Sequence, residues 1–361
     1  MVKRVTIKDI AEQAGVSLGT VHCALAGKMG VSEATRQRVL AIAKKNHYRP
    51  NAMAASLKRK ALTIAAAFPE ASGENRYYFT PVWQGVRDYL NSVGDYKIDY
   101  IEIPYSKSLD NQEDRISRLY NQGRLDGLLT VGFMDDFGQA SLANFGRQNI
   151  PVVLVGDDIP HSSRLRCIQP NYSVIGQMMA DLVTRMIPEN GSILLCAGNI
   201  AMPSHYLIVL GFDTYLSEKG LENPVYKIHT ESLGHDGHLR IARELERHPD
   251  ITCCLSVNAR CSVMLGRALI ESGRAGVIPA IGSDIFPENA ELLESNVFTH
   301  LVHKNQYQQS YLAAECLTDY LLRDTLRGND VIFVSSEIVF QSTLSMYQQN
   351  GRYKAKPAMA F

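Results

Sequence analysis

Two hydrophobic periodicities divide this chain of 361 residues. Over the first sixty, apolar residues recur every three or four positions. Ile7, Ile10, Ala11 and Ala14 make one stripe, Val21, Ala24 and Leu25 a second, and Val39, Leu40, Ile42 and Ala43 a third. That spacing predicts three short amphipathic helices. Thr6 stands at the N-cap of the first, with Asp9 three residues on to close a capping box. Gly15 ends that helix and lets the chain reverse. Ser17 caps the second helix, and Ser32 caps the third, expected over about 34–46. Two short helices about a tight glycine turn form a helix-turn-helix, whose second helix is shaped to enter a DNA major groove. Pro50 stops the third helix, and Asn51 can cap a further alanine-rich helix of two turns. A helix so short is unstable alone in water, so it orders only against something else and reads as a hinge.

From Leu62 onward the period changes. Short apolar runs at 62–68, 96–103, 127–131, 152–155, 192–197, 225–229, 252–257 and 277–281 alternate with amphipathic stretches such as Val174, Ile175, Met178, Met179, Leu182, Val183 and Met186. Strand-helix alternation predicts parallel sheets with crossover helices. Eight or more strands fit two doubly wound lobes better than one sheet. A further run at 297–302, followed by a long helix over 306–323, suggests that the chain recrosses between lobes. The expected fold class is a small all-α helix-turn-helix head joined to a two-lobed α/β body. The expected boundaries are a head at 1–50, a hinge and linker at 51–61, and a body at 62–361. In the body, lobe one takes about 62–165 and 303–330, and lobe two about 166–302 and 331–361.

Charge sharpens this division. The whole chain has 37 basic and 37 acidic residues. Residues 1–60 hold twelve Lys or Arg against Asp9, Glu12 and Glu33, a net of +9, so the remaining 301 residues carry 25 minus 34, or −9. A basic head on an acidic body is the charge pattern that phosphate binding needs, whatever the total. The seven cysteines are odd in number and contain no Cys-x-x-Cys pair. The adjacent Cys253 and Cys254, inside an apolar run, read as buried strand residues of a reduced cytoplasmic protein. His235 and His238 lack a third ligand at suitable spacing and read as surface residues of a helix start, so no metal is expected. There is no apolar run long enough for a membrane span and no secretory leader. A Gly-x-Gly-x-x-Gly after the first strand, a Gly-x-Ser-x-Gly elbow and a Walker motif are all missing, so neither an enzyme nor a cofactor is expected.

Particular residues carry a resemblance to a known family. Residues 6–17 (Thr6 to Ser17), Thr20-Val21, 31–36 (Val31 to Arg36), 48–51 (Tyr48 to Asn51) and Leu57 resemble the lac repressor family of bacterial transcription regulators. Asp126-Gly127, 150–153, 210–212, 281–284 and 309–314 resemble that family's effector domain, built like a periplasmic sugar-binding protein. The resemblance implies a homodimer on a pseudopalindromic operator, with a small ligand, a sugar or sugar derivative, between two lobes. The function so implied is a repressor of a carbohydrate-related operon. The alternatives are a family co-regulator governed by a protein partner and a solute sensor that does not read DNA. At the DNA the resemblance places Thr6, Ser17, Leu18, Gly19, Thr20, His22, Cys23, Ser32, Thr35, Arg36, Tyr48, Asn51, Ala54, Leu57 and Lys58. Leu18, Gly19 and Cys23 fall at its base-reading positions, where none can make the bidentate contact that arginine makes to guanine. Thr20 and His22 suit phosphate. Leu57 falls where the family wedges an apolar side chain into the minor groove.

For the ligand, Tyr78 and Phe79 align with the paired aromatics that stack on sugar in ribose-type binding proteins. Polar residues at strand ends of an open parallel sheet add Asp157, Asn171, Asn258 and Asp284. Two positions depart from the family. Ile208 stands where a ligand-binding arginine is usual, and Lys304 falls near the place of a glutamine.

Overall fold

A computed structural model describes residues 7–25, 30–46, 61–94, 97–106, 110–132, 136–229, 236–323, 325–326 and 329–349. The expectations at Thr6, Tyr48, Asn51, Ala54, Leu57 and Lys58, and the hinge helix they imply, lie outside these residues. The chain divides into two compact units, a head of residues 1–61 with 93–97 and a body of residues 62–92 with 98–361.

The described head holds three helices, α1 (Ile7–Ala14), α2 (Leu18–Leu25) and α3 (Glu33–Lys45). Gly15 has φ 63°, the left-handed conformation that turns the chain out of α1 at no Cβ cost. Ser17 accepts from Thr20 N at 3.1 Å, and Ser32 accepts from Thr35 N at 3.3 Å, so both serines are working N-caps. Ile10, Ala11, Ala14, Val21, Ala24 and Val39 form the shared core. Leu40 does not join it and is exposed. One residue is 100° of helix rotation, which turns Leu40 away from the seam that Val39 and Ala43 follow.

In the body the strands are β1 (Leu62–Ala67), β2 (Ile98–Glu102), β3 (Gly127–Val131), β4 (Val152–Val155), β5 (Arg166–Pro170), β6 (Ser192–Gly198), β7 (Val225–His229), β8 (Ile251–Ser256), β9 (Ala280–Ser283), β10 (His300–His303), β11 (Val331–Val334) and β12 (Glu337–Val339). The helices are α4 (Arg76–Ser92), α5 (Asp110–Asn121), α6 (Asp136–Arg147), α7 (Tyr172–Met186), α8 (Pro203–Glu218), α9 (Gly237–Arg247), α10 (Ala259–Glu271), α11 (Pro287–Glu294), α12 (Gln306–Arg323) and α13 (Leu344–Gln349). One sheet runs β11-β5-β4-β3-β1-β2 and the other β12-β10-β9-β8-β6-β7. All pairs are parallel except β10 with β12. β3, β4 and β6 are buried at every residue, as strands covered by helices on both faces must be.

The lobe boundaries differ from the sequence expectation. β5 and β11 pair with each other inside the first sheet, so 166–170 and 331–334 belong to lobe one. β5 reads Arg-Cys-Ile-Gln-Pro and offers no apolar run that would mark it as a strand. The chain crosses to lobe two only at α7, returns after β10, and crosses a third time between β11 and β12. β9 begins at Ala280, three residues later than the apolar run, because Val277 is spent on a turn closed by its N–H to Arg274 O at 3.0 Å. Cys253 and Cys254 are buried free thiols of β8. His238 is buried within α9, with Nε2 3.6 Å from Glu271 Oε2, and so is not a surface residue.

Candidate functional site

The head exposes the N-terminal end of α2. Leu18 is 42% exposed and Gly19 is exposed beside it, while Thr20 and Cys23 are half-buried on the same helix, which also carries His22. Val21 and Ala24 turn the opposite face into the core. A helix with one buried face and an apolar, small-residue outer face can approach a flat or grooved partner closely. Several expected DNA-contacting side chains also have partners within the head. The Ser17 hydroxyl lies 2.9 Å from that of Thr20, and the Ser32 hydroxyl donates to that of Thr35 at 2.9 Å. The guanidinium of Arg36 donates to Cys23 O at 3.4 Å and to Ala24 O at 3.3 Å. A cation on the last carbonyls of a helix offsets its negative end, so Arg36 fixes where α2 stops.

The second site lies at the carboxyl ends of the strands, where the two lobes meet. The loop after β1 leads into α4, whose first turn carries Tyr77, Tyr78 and Phe79. Tyr78 donates its hydroxyl to Gln309 Oε1 of α12 at 3.1 Å and packs edge-on to Phe79 with centroids 5.0 Å apart. Gly156, just after β4, has φ 83°, and a Cβ there would lie 2.6 Å from the Tyr78 hydroxyl. The next residue, Asp157, accepts from Ser204 N at the start of α8 in the other lobe, at 3.2 Å. Asp158 pairs with Arg164, which donates Nη2 to Oδ2 at 2.7 Å. Asp284, after β9, sits in the left-handed region at φ 72°. Asn289 Nδ2 donates to Asp284 O at 2.9 Å and to Ser283 O at 2.7 Å, holding that turn. Lys304, after β10, donates Nζ to Asp284 Oδ2 at 2.6 Å and to Ser283 Oγ, and its own N–H to Asp284 Oδ1 at 3.3 Å. A non-glycine residue held at positive φ inside a cleft is strain of the kind that collects at functional positions.

Rim contacts join the lobes around these groups. The Tyr77 ring stacks on Phe286 at 4.4 Å, Arg76 pairs with Glu288, and Arg260 Nε lies 2.8 Å from Glu74 Oε2. Electrostatics follow from burial. Burial pushes the Asp157 carboxyl up to about 6, against hydrogen bonds from Ser204 and the charge of Lys304. Burial, then the charge of Lys304, lowers His205 to about 4, so its ring is neutral at pH 7. Burial, followed for Tyr78 by the charges of Asp157 and Asp284, lifts Tyr78 and Tyr172 well above the usual phenol range.

The structure therefore brings Tyr78, Asp157, Asp284 and Lys304 to one place. Asn171 and Asn258 are also at strand ends, where their side-chain oxygens cap α7 and α10, accepting from Val174 N at 3.2 Å and Cys261 N at 2.8 Å. Phe79 is nearly buried. Ile208 is fully buried in the core of lobe two, so the cation absent from that position is not replaced on the same turn. His205, Ser204, Tyr172 and Gln309 were not foreseen. Ser204 and His205 open the helix after β6, so the strand-end rule applied to β6 would have found them. A separate cavity of about 250 Å³, lined by Glu70, Trp83, Arg87 and Glu102, opens on lobe one and includes none of the converging groups.

An exposed second helix on a three-helix head, and a body of two parallel sheets with polar groups gathered at their carboxyl ends, define a helix-turn-helix head fused to a body of solute-binding type. Residues 67–324 match the periplasmic binding protein domain family, and residues 6–51 match the bacterial regulatory proteins of the lacI family. The chain belongs to the periplasmic binding protein domain family and carries a LacI-family DNA-binding domain at its N-terminus. It is 28% identical over 220 residues to catabolite control protein A of Streptococcus mutans serotype c, covering 60% of this chain and 62% of that protein. It is 32% identical over 194 residues to the sucrose operon repressor of Klebsiella pneumoniae, covering 52% and 53%. The chain thus matches between half and two thirds of the length of these relatives. Its fold is similar to that of the transcriptional regulator CelR in complex with cellobiose, with a TM-score of 0.60 and 19% identity over 93% of this chain and 98% of that one. No helix among the described residues is long and apolar enough to cross a membrane.

Proposed function

We propose that this protein is a sequence-specific DNA-binding transcription regulator, acting as a repressor of a carbohydrate-related operon. The observation that carries this reading is an exposed α2 on a head of net charge +9, within a chain whose remainder carries −9. Two such heads, brought together in a homodimer, would read a pseudopalindromic operator. In this reading Leu18, Gly19 and Cys23 lie against base edges and supply shape and apolar contact rather than bidentate hydrogen bonds. Leu57 acts in this reading as the apolar wedge in the minor groove. The body senses a small ligand between its lobes through Tyr78, Asp157, Asp284 and Lys304. Cellobiose in CelR and the sucrose operon of the Klebsiella repressor support carbohydrate as the ligand class. Ligand shifts the balance of lobe arrangements, and DNA affinity follows by linkage.

The test is selection of genomic fragments by the intact purified protein, with and without pooled sugars. Recovery of one inverted repeat, with an affinity that changes when sugar is added, is the expected result. Recovery of unselected DNA under both conditions would overturn the reading.

A further inference from the structure

We propose that the ligand of the cleft carries a positively charged amino group, and that Asp157 is the residue that receives it. This deepens the reading of the cleft as a carbohydrate sensor and rests on it. On the rim, Arg76 is balanced by Glu288 and Arg260 by Glu74. Behind the cleft, Arg164 is balanced by Asp158. Inside remain two carboxylates, Asp157 and Asp284, both close enough to Tyr78 to act on its hydroxyl. The single ammonium among them, Lys304, is bound by Asp284 and Ser283. His205 is neutral. The groups named here sum to −1, and because the Lys304 ammonium reaches Asp157 only at a distance while it bonds Asp284 directly, no ion pair closes on Asp157.

Asp157 is 8% exposed. Its partner, Ser204, offers neutral donors at the start of α8, and a helix N-terminus adds about half a positive charge. A buried carboxylate in that setting is costly unless a full counter-charge arrives. A neutral polyol can donate hydroxyls to Asp157 but leaves the charge uncompensated. A protonated amine supplies both the charge and up to three donors. Tyr78, half-buried and within electrostatic reach of Asp157, adds an aromatic ring of the kind that suits a cation and the carbon face of a sugar alike.

Isothermal titration of the full-length protein with D-glucosamine, D-galactosamine and D-mannosamine, each against its parent hexose and its N-acetyl form, tests this near neutral pH. N-acetylation keeps the ring and removes the charge. At least one amino sugar is expected to bind about tenfold or more tightly than both neutral partners, and Asp157→Asn is expected to abolish that preference. Equal or tighter binding of the parent or N-acetyl sugar overturns the amine inference while leaving the carbohydrate reading intact. So does an Asp157→Asn protein that keeps the preference. If that variant does not fold, the comparison of charged and N-acetylated sugars on the unaltered protein decides alone. Heat from none of the nine sugars overturns the inference and removes support for the sensor reading, whereas the DNA selection above reports on the regulator reading separately.

Discussion

Lys304 is the strongest mechanical claim about the cleft, because its pair with Asp284 is almost completely dry, with side chains 5% and 2% exposed. At 2.6 Å and an effective dielectric constant of about 20, the attraction is about 6 kcal/mol. Removing two ions from water costs several kcal/mol each, so the pair as a whole lies near break-even. Deleting one member is a different matter, since the other is left buried and uncompensated. Lys304→Met should therefore destabilise the body by about 3–5 kcal/mol. Asp284→Asn keeps the shape and suits φ 72°, because asparagine tolerates the left-handed region. The double variant should return to within about 2 kcal/mol of the parent, giving a large favourable coupling between the two changes. Urea unfolding followed by Trp83 fluorescence reads this cleanly. Trp83 is the chain's single tryptophan and is buried in the body, so the head does not contribute. Additive single and double losses, or a Lys304→Met cost below about 1 kcal/mol, would refute the claim that a desolvated pair organises this end of the cleft.

Further predictions follow from the same geometry. Burial raises the Asp157 carboxyl from its ordinary 3.8 to about 6 in the folded protein, so between those values the folded state holds the extra proton and stability falls as pH rises. Asp157→Asn should gain stability over the parent across that window, by up to about 3 kcal/mol above pH 6, as read by thermal unfolding against pH. His205 acts in the opposite direction. Its pKa drops from 6.5 to about 4, so stability is lost as pH falls through that range, and His205→Asn should remove that loss in the same assay. Gly156→Ala should cost about 2 kcal/mol through its left-handed backbone and its approach to the Tyr78 hydroxyl, and Tyr78→Phe in the same chain should recover part of it in urea unfolding. Arg36→Ala should weaken the end of α2 by about 1 kcal/mol, seen as faster amide exchange in its last turn without loss of α1.

The fold was legible wherever one physical rule decided an element. The bounds of β3 and β4 coincide with their apolar runs because every residue in them is buried, and those of β7 and α12 coincide with theirs although only part of each is buried. The head helices were marked by caps, and Ser17 and Ser32 make the backbone contacts their positions suggested. The elements that escaped are those whose stability comes from pairing rather than from their own residues. β5 starts with Arg166, whose charge is met by Asp330 at 3.0 Å, and ends with Pro170, so its strand character is supplied by β4 and β11. Because β5 and β11 are partners 160 residues apart, missing one hid the other, and both were assigned to the wrong lobe.

The cleft was legible in position and illegible in charge. Asp157, Asp284 and Lys304 stand at strand ends, and a doubly wound sheet gathers strand ends on one side whatever the residues are. What the residues do there depends on which partners the fold supplies, 20 positions away for Lys304 with Asp284 and 47 for Asp157 with Ser204. Lys304 reads in sequence as a departure near the place of a family glutamine, and the structure makes it the partner of Asp284. Asn171 and Asn258 read as ligand amides, yet their oxygens are held by helix caps. Asp157 reads as one acid of an adjacent pair, yet Asp158 is neutralised by Arg164 and Asp157 is not. In Lys304, Asn171 and Asn258 part of the bonding capacity that the sequence offers to a ligand is taken up within the protein. Among Asp157, Asp158 and Asp284, Asp157 alone is met by neutral donors rather than by an ion pair, which makes it the residue on which ligand selectivity should turn.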